Sequence, residues 1–253
     1  DAAVKTCAAE AIGRFGPGDA AAVPVFLQAL EDPDDFVRYG ACFGLGKVGS
    51  GNVQAVAGLE RALKDRDAGV RSIAAGAIAG LDGLEPATIR AVAELLSDPD
   101  DDVFDSALDA LSRIGAPAMP VLFELMDSPD GELTDAAVDA MTGMDPASIR
   151  EALPFLCAQL VDSEDELKVA IAAVLVGNGG PDSREAASAL AIALRESLEW
   201  DNPEVPRRSA LALAGVAPDL DLAKPILVEA LSDEDPATHR SEEHTSELQS
   251  PNT

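Results

Sequence analysis

The segment VRYGACFGLGKVG, at residues 37–49, shows the pattern that the whole chain repeats. It opens with Val37, continues through many small residues, and reaches Val48 eleven positions later. Other segments of this form open with a valine or a leucine, at Val4, Val70, Val103, Leu133, Leu167 and Val205. The first four openings are 33 residues apart, and the later steps are 30, 34 and 38 residues. A period of this length is typical of stacked supersecondary units, each packed on its neighbours, rather than of a globule with one central core.

Each unit is predicted to contain two helices. In the second unit, Val23, Phe26 and Leu30 recur at helical spacing and mark the first helix. The acidic turn DPDD, at residues 32–35, interrupts the chain before a second helix at residues 37–48, because proline ends a helix and aspartate can cap the next one. No alternating apolar and polar run of strand type competes with this pattern, so we predict an all-α chain.

The repeated units resemble the HEAT repeat. The resemblance rests on the acidic turn, on the pairs Val37-Arg38 and Val70-Arg71, and on the glycine that follows each Ala-rich helix. It extends over roughly residues 1–240 and is strongest to the short subtype of phycobilisome-lyase-like HEAT proteins. The later copies depart from it at Leu133-Thr134, Leu167-Lys168 and Val205-Pro206. The resemblance implies a right-handed α-solenoid of about seven helix pairs, whose second helices line the concave face.

The last residues do not continue the repeat. Residues 240–250, RSEEHTSELQS, are similar to the in-frame translation of a widely used sequencing-library adapter. We therefore expect the solenoid to span residues 1–239, and residues 240–253 to be a non-native, disordered tail. Because Asp1 begins within a second helix and another is due near His239, the chain is expected to be a fragment, truncated at both ends.

The chain is strongly acidic, with 46 acidic against 18 basic residues and a formal net charge of −28. Such a field repels phosphate backbones, so the composition argues against a nucleic-acid partner. Because excess aspartate and scarce lysine run through every repeat, we favour an adaptation to high salt, as in halophilic archaea. The alternative, an acidic surface that attracts a basic partner, stays open.

The high-salt interpretation predicts that the fold is weaker at low ionic strength, because its negative charges repel one another. Helix content followed by circular dichroism should rise, and the unfolding temperature should increase, between dilute buffer and about 1 M KCl. A melting curve that does not change with salt would contradict this interpretation and favour an acidic binding patch.

Membrane insertion is not expected, because no uncharged apolar run reaches the roughly 18 residues that a span needs. The cysteines Cys7, Cys42 and Cys157 lack CxxC spacing and lie in apolar helical stretches. We therefore expect buried thiols in a reducing compartment, and a cytoplasmic protein.

The sequence carries no common catalytic signature, such as a GxxxxGK[ST] phosphate loop, a GxSxG elbow or an HExxH zinc motif. His239 is the only histidine before the tail, which disfavours catalytic triads and most metal hydrolases. We therefore predict a non-enzymatic scaffold or adaptor for protein–protein interactions, without a cofactor or a metal. The family resemblance leaves an alternative, a bilin-lyase-type or regulatory subunit acting on a chromophore protein. A DNA-repair solenoid of the alkylpurine-glycosylase type would need a basic groove.

The candidate partner-binding residues lie two and six positions after the residue that opens a second helix. These positions point away from the stripe that packs on neighbouring helices, which holds Leu45 eight positions after Val37, and, in a solenoid, towards the concave side. They hold one aromatic pair and two aspartate pairs, Tyr39, Phe43, Asp105, Asp109, Asp135 and Asp139.

Two interpretations of each group stay open. The aromatic pair is a candidate anchor for a protein partner, or helix curvature turns Phe43 into the core. The four carboxylates are a candidate site for a basic peptide or a hard cation such as calcium, or they form an ordinary solvated face. The predicted partner is therefore a basic or aromatic-seeking protein segment.

Overall fold

The structure, a computed structural model, describes residues 19–162, 166–178, 186–197 and 204–216. All the regular structure in these ranges is helical, as the sequence predicts. The α-helices are α1 (Val23–Ala29), α2 (Asp35–Val48), α3 (Val53–Ala62), α4 (Ala68–Ile78), α5 (Pro86–Ala93), α6 (Asp101–Ile114), α7 (Met119–Leu125), α8 (Gly131–Thr142), α9 (Pro146–Glu151), α10 (Leu153–Asp162), α11 (Glu166–Asn178), α12 (Ala187–Ser197) and α13 (Glu204–Val216). The repeat opened by Val4, the thiol of Cys7 and the tail at residues 240–253 lie outside the described residues.

The chain forms two compact units, residues 1–152 and residues 153–253. In the first unit, the second helices α2, α4, α6 and α8 pack side by side in chain order. The first helices α1, α3, α5 and α7 do the same, and each packs against the second helix that follows it. The result is the array of stacked helix pairs that the repeat predicts.

Aspartate side chains cap three of these second helices, α2, α4 and α8. Oδ1 of Asp34, Asp67 and Asp130 accepts a hydrogen bond from a backbone N–H of the first turn, at 2.9, 3.1 and 3.1 Å. This capping satisfies backbone donors that have no partner within the helix. Because the capping residue stands three positions before the repeat opening, α2 begins at Asp35 rather than at the predicted Val37.

The packed stripe of the second helices has the predicted phase. The residue eight positions after each repeat opening is completely buried in the described copies, at Leu45, Ile78, Leu111, Met141, Leu175 and Leu213. Val70 and Val103, which open two repeats, are also completely buried, whereas Val37 is exposed. The looser copies therefore keep the core position even where their opening residues depart from the pattern.

Small residues let neighbouring second helices approach closely. A Cβ added to Gly46 in α2 would lie 2.9 Å from Cβ and 3.0 Å from Cα of Ala77 in α4. The same arrangement recurs in the second compact unit, residues 153–253. There α11 packs on α13, and a Cβ added to Gly177 would lie 3.3 Å from Cα of Ala212. Even an alanine at Gly46 would bring its Cβ too close to Ala77, so any side chain there would push the two helices apart.

Candidate functional site

Two faces of the second-helix layer can be distinguished by their contacts. Residues seven and eight positions after a repeat opening face the first helices: a Cβ on Gly44 would lie 2.5 Å from Phe26 in α1, and Leu45 lies next to Gly58 in α3. At 3.6 residues per turn, residues two and six positions after the opening point about half a turn away from this side. We call the face of α2, α4, α6 and α8 that carries these residues the outward surface.

The aromatic pair lies on the outward surface of α2. Tyr39 is 44% exposed and Phe43 is 40% exposed, although both side chains are large and apolar. The alternative in which Phe43 turns into the core is therefore wrong, because the adjacent Gly44 and Leu45 already occupy the buried side of this helix. One turn further on, Nζ of Lys47 lies 4.9 Å from the centroid of the Phe43 ring.

The aspartates lie on the outward surfaces of two adjacent helices. Asp105 and Asp109 in α6 and Asp135 and Asp139 in α8 are all exposed. Nη1 of Arg113 lies 3.5 Å from Oδ2 of Asp109. Within the described part of the chain, no three His, Cys, Asp or Glu residues are arranged to hold a metal ion, so the geometry does not support the calcium interpretation.

Helix α4 separates the aromatic pair from the aspartates and offers almost no side chains. The corresponding outward positions of α4 hold Ser72 and Gly76. Oγ of Ser72 shares a hydrogen bond of 2.6 Å with Oγ of Ser106 in α6, and a Cβ added to Gly76 would meet nothing within 4 Å. Helix α4 therefore forms a shallow depression in the outward surface, because its side chains there are small. The aromatic rings of α2 lie on one side of this depression and the carboxylates of α6 lie on the other.

Two buried ion pairs that the sequence analysis did not predict join successive helix pairs. Nε and Nη2 of Arg38 donate to Oδ2 and Oδ1 of Asp65 at 2.8 and 2.7 Å. Arg71 makes the same bidentate contact with Asp98, at 2.7 and 2.8 Å. The remaining terminal nitrogen of each arginine donates to a backbone carbonyl of the preceding acidic turn, for example from Arg71 to Asp65 at 2.9 Å. The signal that could have predicted these pairs is an aspartate recurring 27 residues after the arginine of each Val-Arg pair.

These ion pairs control the protonation of their own carboxylates. The hydrogen bonds from Arg38 and Arg71 hold the pKa of Asp65 and of Asp98 below the usual value for aspartate. The hydrogen bond to Asp65 raises the pKa of Arg38 in turn. Both residues of each pair therefore stay charged near neutral pH. The pairs hold adjacent helix pairs of the repeat together rather than exchange protons.

The arginine–aspartate series changes at the next interface. Phe104 replaces the arginine that follows the repeat opening, and Ser128 replaces the aspartate that starts the next acidic turn. Ser128 keeps one local role of the aspartate, since its Oγ accepts a hydrogen bond from the backbone N–H of Asp130 at 3.1 Å. Both partners of the pair are therefore replaced together, so neither is left as an unpaired buried charge.

A cavity of about 590 Å³ lies beside the first ion pair. Its lining includes Arg38 and Asp65 together with Glu31, Arg61 and Lys64. Two arginines are paired within this lining, Arg38 with Asp65 and Arg61 with Glu31, while Lys64 pairs with Glu94, the residue directly after α5. No serine, threonine, cysteine or histidine is among the described residues that line this cavity.

Of the two cysteines that the structure describes, Cys42 is buried and Cys157 is partly exposed, so the prediction of buried thiols holds for Cys42 and is wrong for Cys157. Cys42 is completely buried beneath the outward surface, as predicted from its apolar context. Burial raises the pKa of its thiol to about 12, so the nucleophilic thiolate is scarce near neutral pH. None of the described helices is both long enough and apolar enough to cross a membrane.

Comparisons with known proteins concern both the sequence and the fold. The family model for HEAT repeats matches residues 1–79 and 57–142, which together exceed half of the chain. No curated protein sequence matches the chain.

Among solved structures, the HEAT-like repeats protein from the archaeon Thermococcus onnurineus NA1 is 16% identical, with a TM-score of 0.43 and coverage of 88% of this chain and 98% of that one. The complex of CpcE and CpcF of phycocyanin lyase from Nostoc sp. PCC7120 contains a chain that is 26% identical, with a TM-score of 0.37 and coverage of 76% and 81%. A designed armadillo repeat protein in complex with the peptide (KR)4 is 23% identical, with a TM-score of 0.38 and coverage of 76% and 98%.

Proposed function

Because the chain belongs to the HEAT-repeat family, we propose that it is a non-enzymatic scaffold that binds a protein partner on its outward surface. The proposal includes a cytoplasmic location, which the buried thiol of Cys42 supports. It includes no cofactor, no membrane partner and no nucleic acid, since the four outward aspartates would repel a phosphate backbone.

The exposed aromatic pair carries this proposal. Tyr39 and Phe43 expose more than a third of their surface in a helix whose other face is fully packed. Aromatic side chains contribute a large share of the binding energy at protein interfaces, because they bury much area and lose little conformational entropy. The six predicted residues are all exposed, and all lie at the same helical phase of α2, α6 and α8.

The proposal is tested with the double variant Tyr39→Ala/Phe43→Ala. Removing both rings should abolish most of the partner capture, because central aromatic residues each contribute about 2 kcal/mol or more to such interfaces. The measurement is quantitative mass spectrometry of proteins retained from a lysate of the host organism by the immobilised variant and by the unchanged chain.

The matched control is Val25→Ala/Val53→Ala, which removes two exposed apolar side chains from the first helices α1 and α3. This control should retain the partners that the aromatic double variant loses. Equal retention by both double variants, with both correctly folded, would contradict the assignment of the outward surface as the binding surface.

A further inference from the structure

From the contacts on the outward surface we infer that its partner is a lysine- or arginine-bearing protein segment, and that Lys47 and Arg113 compete with this segment for two of its binding positions. The inference rests on the proposed function and specifies the chemistry of the partner. It uses cations that the chain itself places on the exposed aromatic and carboxylate groups.

The first position is the ring of Phe43. The ammonium of Lys47 lies 4.9 Å from the ring centroid, within the roughly 6 Å over which a cation–π attraction is significant. Both side chains are exposed, so the contact is weak and the lysine can leave at little cost. A cationic side chain of the partner can then take the same ring face, and Tyr39 offers a second ring one turn away.

The second position is the carboxylate of Asp109. Its contact with Arg113 is 3.5 Å long, and the two side chains are 67% and 51% exposed. Exposed ion pairs of this kind contribute little, so an incoming guanidinium can replace that of Arg113. In the described residues, no cation lies within ion-pair distance of Asp105, Asp135 or Asp139.

The charges of the outward surface favour a basic occupant. Two adjacent helices present four exposed carboxylates at outward positions, whereas Lys47 and Arg113, the cations that contact this surface in the described residues, each lie one turn beyond such a position. Side-by-side carboxylates produce a negative local potential, which attracts positive groups. The carboxylates are not grouped to hold a metal ion within the described residues, so a cation carried on flexible side chains fits them better.

The spacing of the helices sets a minimum length for the segment. Helix α4, with only Ser72 and Gly76 at its outward positions, leaves room for a chain to cross from α2 to α6. Two interhelical distances are about 16–20 Å, and an extended chain advances about 3.3 Å per residue. A segment of about six extended residues can therefore contact the aromatic pair and the α6 aspartates, Asp105 and Asp109, at the same time.

The inference predicts that removing the chain's own cations strengthens binding. The probe is fluorescein-labelled octa-arginine, measured by fluorescence anisotropy with the purified chain at about 0.15 M salt. Lys47→Ala and Arg113→Ala should each lower the dissociation constant about two- to fivefold, the effect of freeing one exposed partner. Asp109→Asn and Asp135→Asn should each raise the dissociation constant by a similar factor.

Arg90→Ala is the matched control for overall charge. Arg90 lies in the first helix α5 and pairs with Glu124 at 2.7 Å, with side chains that are 53% and 57% exposed, much as in the pair of Arg113 and Asp109. Removing Arg90 changes the net charge by the same amount as removing Arg113. It should nevertheless alter the dissociation constant less than about 1.5-fold, because salt screens the interaction between the peptide and an exposed charge far from its binding surface.

Three outcomes would overturn the inference. If Arg90→Ala strengthens binding as much as Arg113→Ala, octa-arginine responds only to the net charge of the chain. If Lys47→Ala or Arg113→Ala weakens binding, that cation supports the partner instead of competing with it. If the charge variants leave binding unchanged while Tyr39→Ala/Phe43→Ala loses its captured partners, the surface is correct but the partner is not basic.

Discussion

Replacing Asp98 with alanine should lower the free energy of unfolding by about 3 kcal/mol. The substitution leaves the guanidinium of Arg71 largely buried, at 15% exposure, without the two carboxylate oxygens that neutralise it. A buried charge that loses its partner is costly because neither water nor another protein group replaces the lost hydrogen bonds. Urea unfolding followed by circular dichroism measures the change through the shift of the midpoint.

Glu124→Ala is the control for this substitution. Nη2 of Arg90 donates to Oε1 and Oε2 of Glu124 at 2.8 and 2.7 Å, and Nε donates to Oε2 at 3.2 Å, but both side chains are more than half exposed. Removing Glu124 should cost less than about 1 kcal/mol, because water solvates the arginine that remains. Equal losses of unfolding free energy for Asp98→Ala and Glu124→Ala would show that burial of the remaining arginine does not set the cost of removing its carboxylate partner.

The next interface of the chain suggests how the loss can be reversed. Phe104 and Ser128 stand where the repeat would place an arginine and an aspartate. The double variant Arg71→Phe/Asp98→Ser copies this natural replacement and removes both charges at once. It should be more stable than Asp98→Ser alone, since replacing a whole buried ion pair is often nearly neutral.

The contribution of Asp98 should also depend on pH. Because its pKa is lowered in the folded state, its contribution to stability is complete above the unfolded pKa, about 3.9, and is lost as the pH falls through the folded value. The stability difference between the unchanged chain and Asp98→Ala should therefore be constant from pH 7 to about pH 5 and shrink below about pH 4. Relief of the overall negative charge affects both proteins alike and cancels in this difference.

Leu45→Ala should destabilise the chain by about 2–4 kcal/mol. Leu45 is completely buried, and it packs between α2 and the first helices, next to Gly58. Truncation removes apolar contacts and leaves a cavity, because backbone neighbours on both sides limit how far the site can collapse. The loss is measured by the same urea unfolding experiment.

Lys47→Ala tests the same helix on its opposite face. Lys47 is exposed, and its described contact is the cation–π interaction with Phe43, so its loss should cost less than about 0.5 kcal/mol. Similar losses for Leu45→Ala and Lys47→Ala would mean that the assigned phase of α2 is wrong. Leu45 and Lys47 are only two positions apart, yet they lie about 200° apart around the helix axis and therefore on opposite faces.

The sequence by itself determined which elements form and which way their residues face. The repeat period, the acidic turns and the apolar spacing predict the helix pairs, and the buried residue eight positions after each opening follows from the same count, even at Leu175 and Leu213. The exposure of Tyr39 and of the aspartates on α6 and α8 was predicted in the same way. These features depend on local propensity and helical periodicity, which are properties of residues close together in the chain.

Only the tertiary structure decided which distant groups meet. The pairing of Arg38 with Asp65 joins residues that are 27 positions apart, and it exists because neighbouring units stack at a particular distance and angle. The side of the layer on which Phe43 lies, the exposure of Val37 and the failure of the aspartates to form a metal site were equally undecided by the sequence. Each depends on differences of about an ångström in the spacing between helices, which interhelical packing sets and which the periodicity of a single helix does not contain.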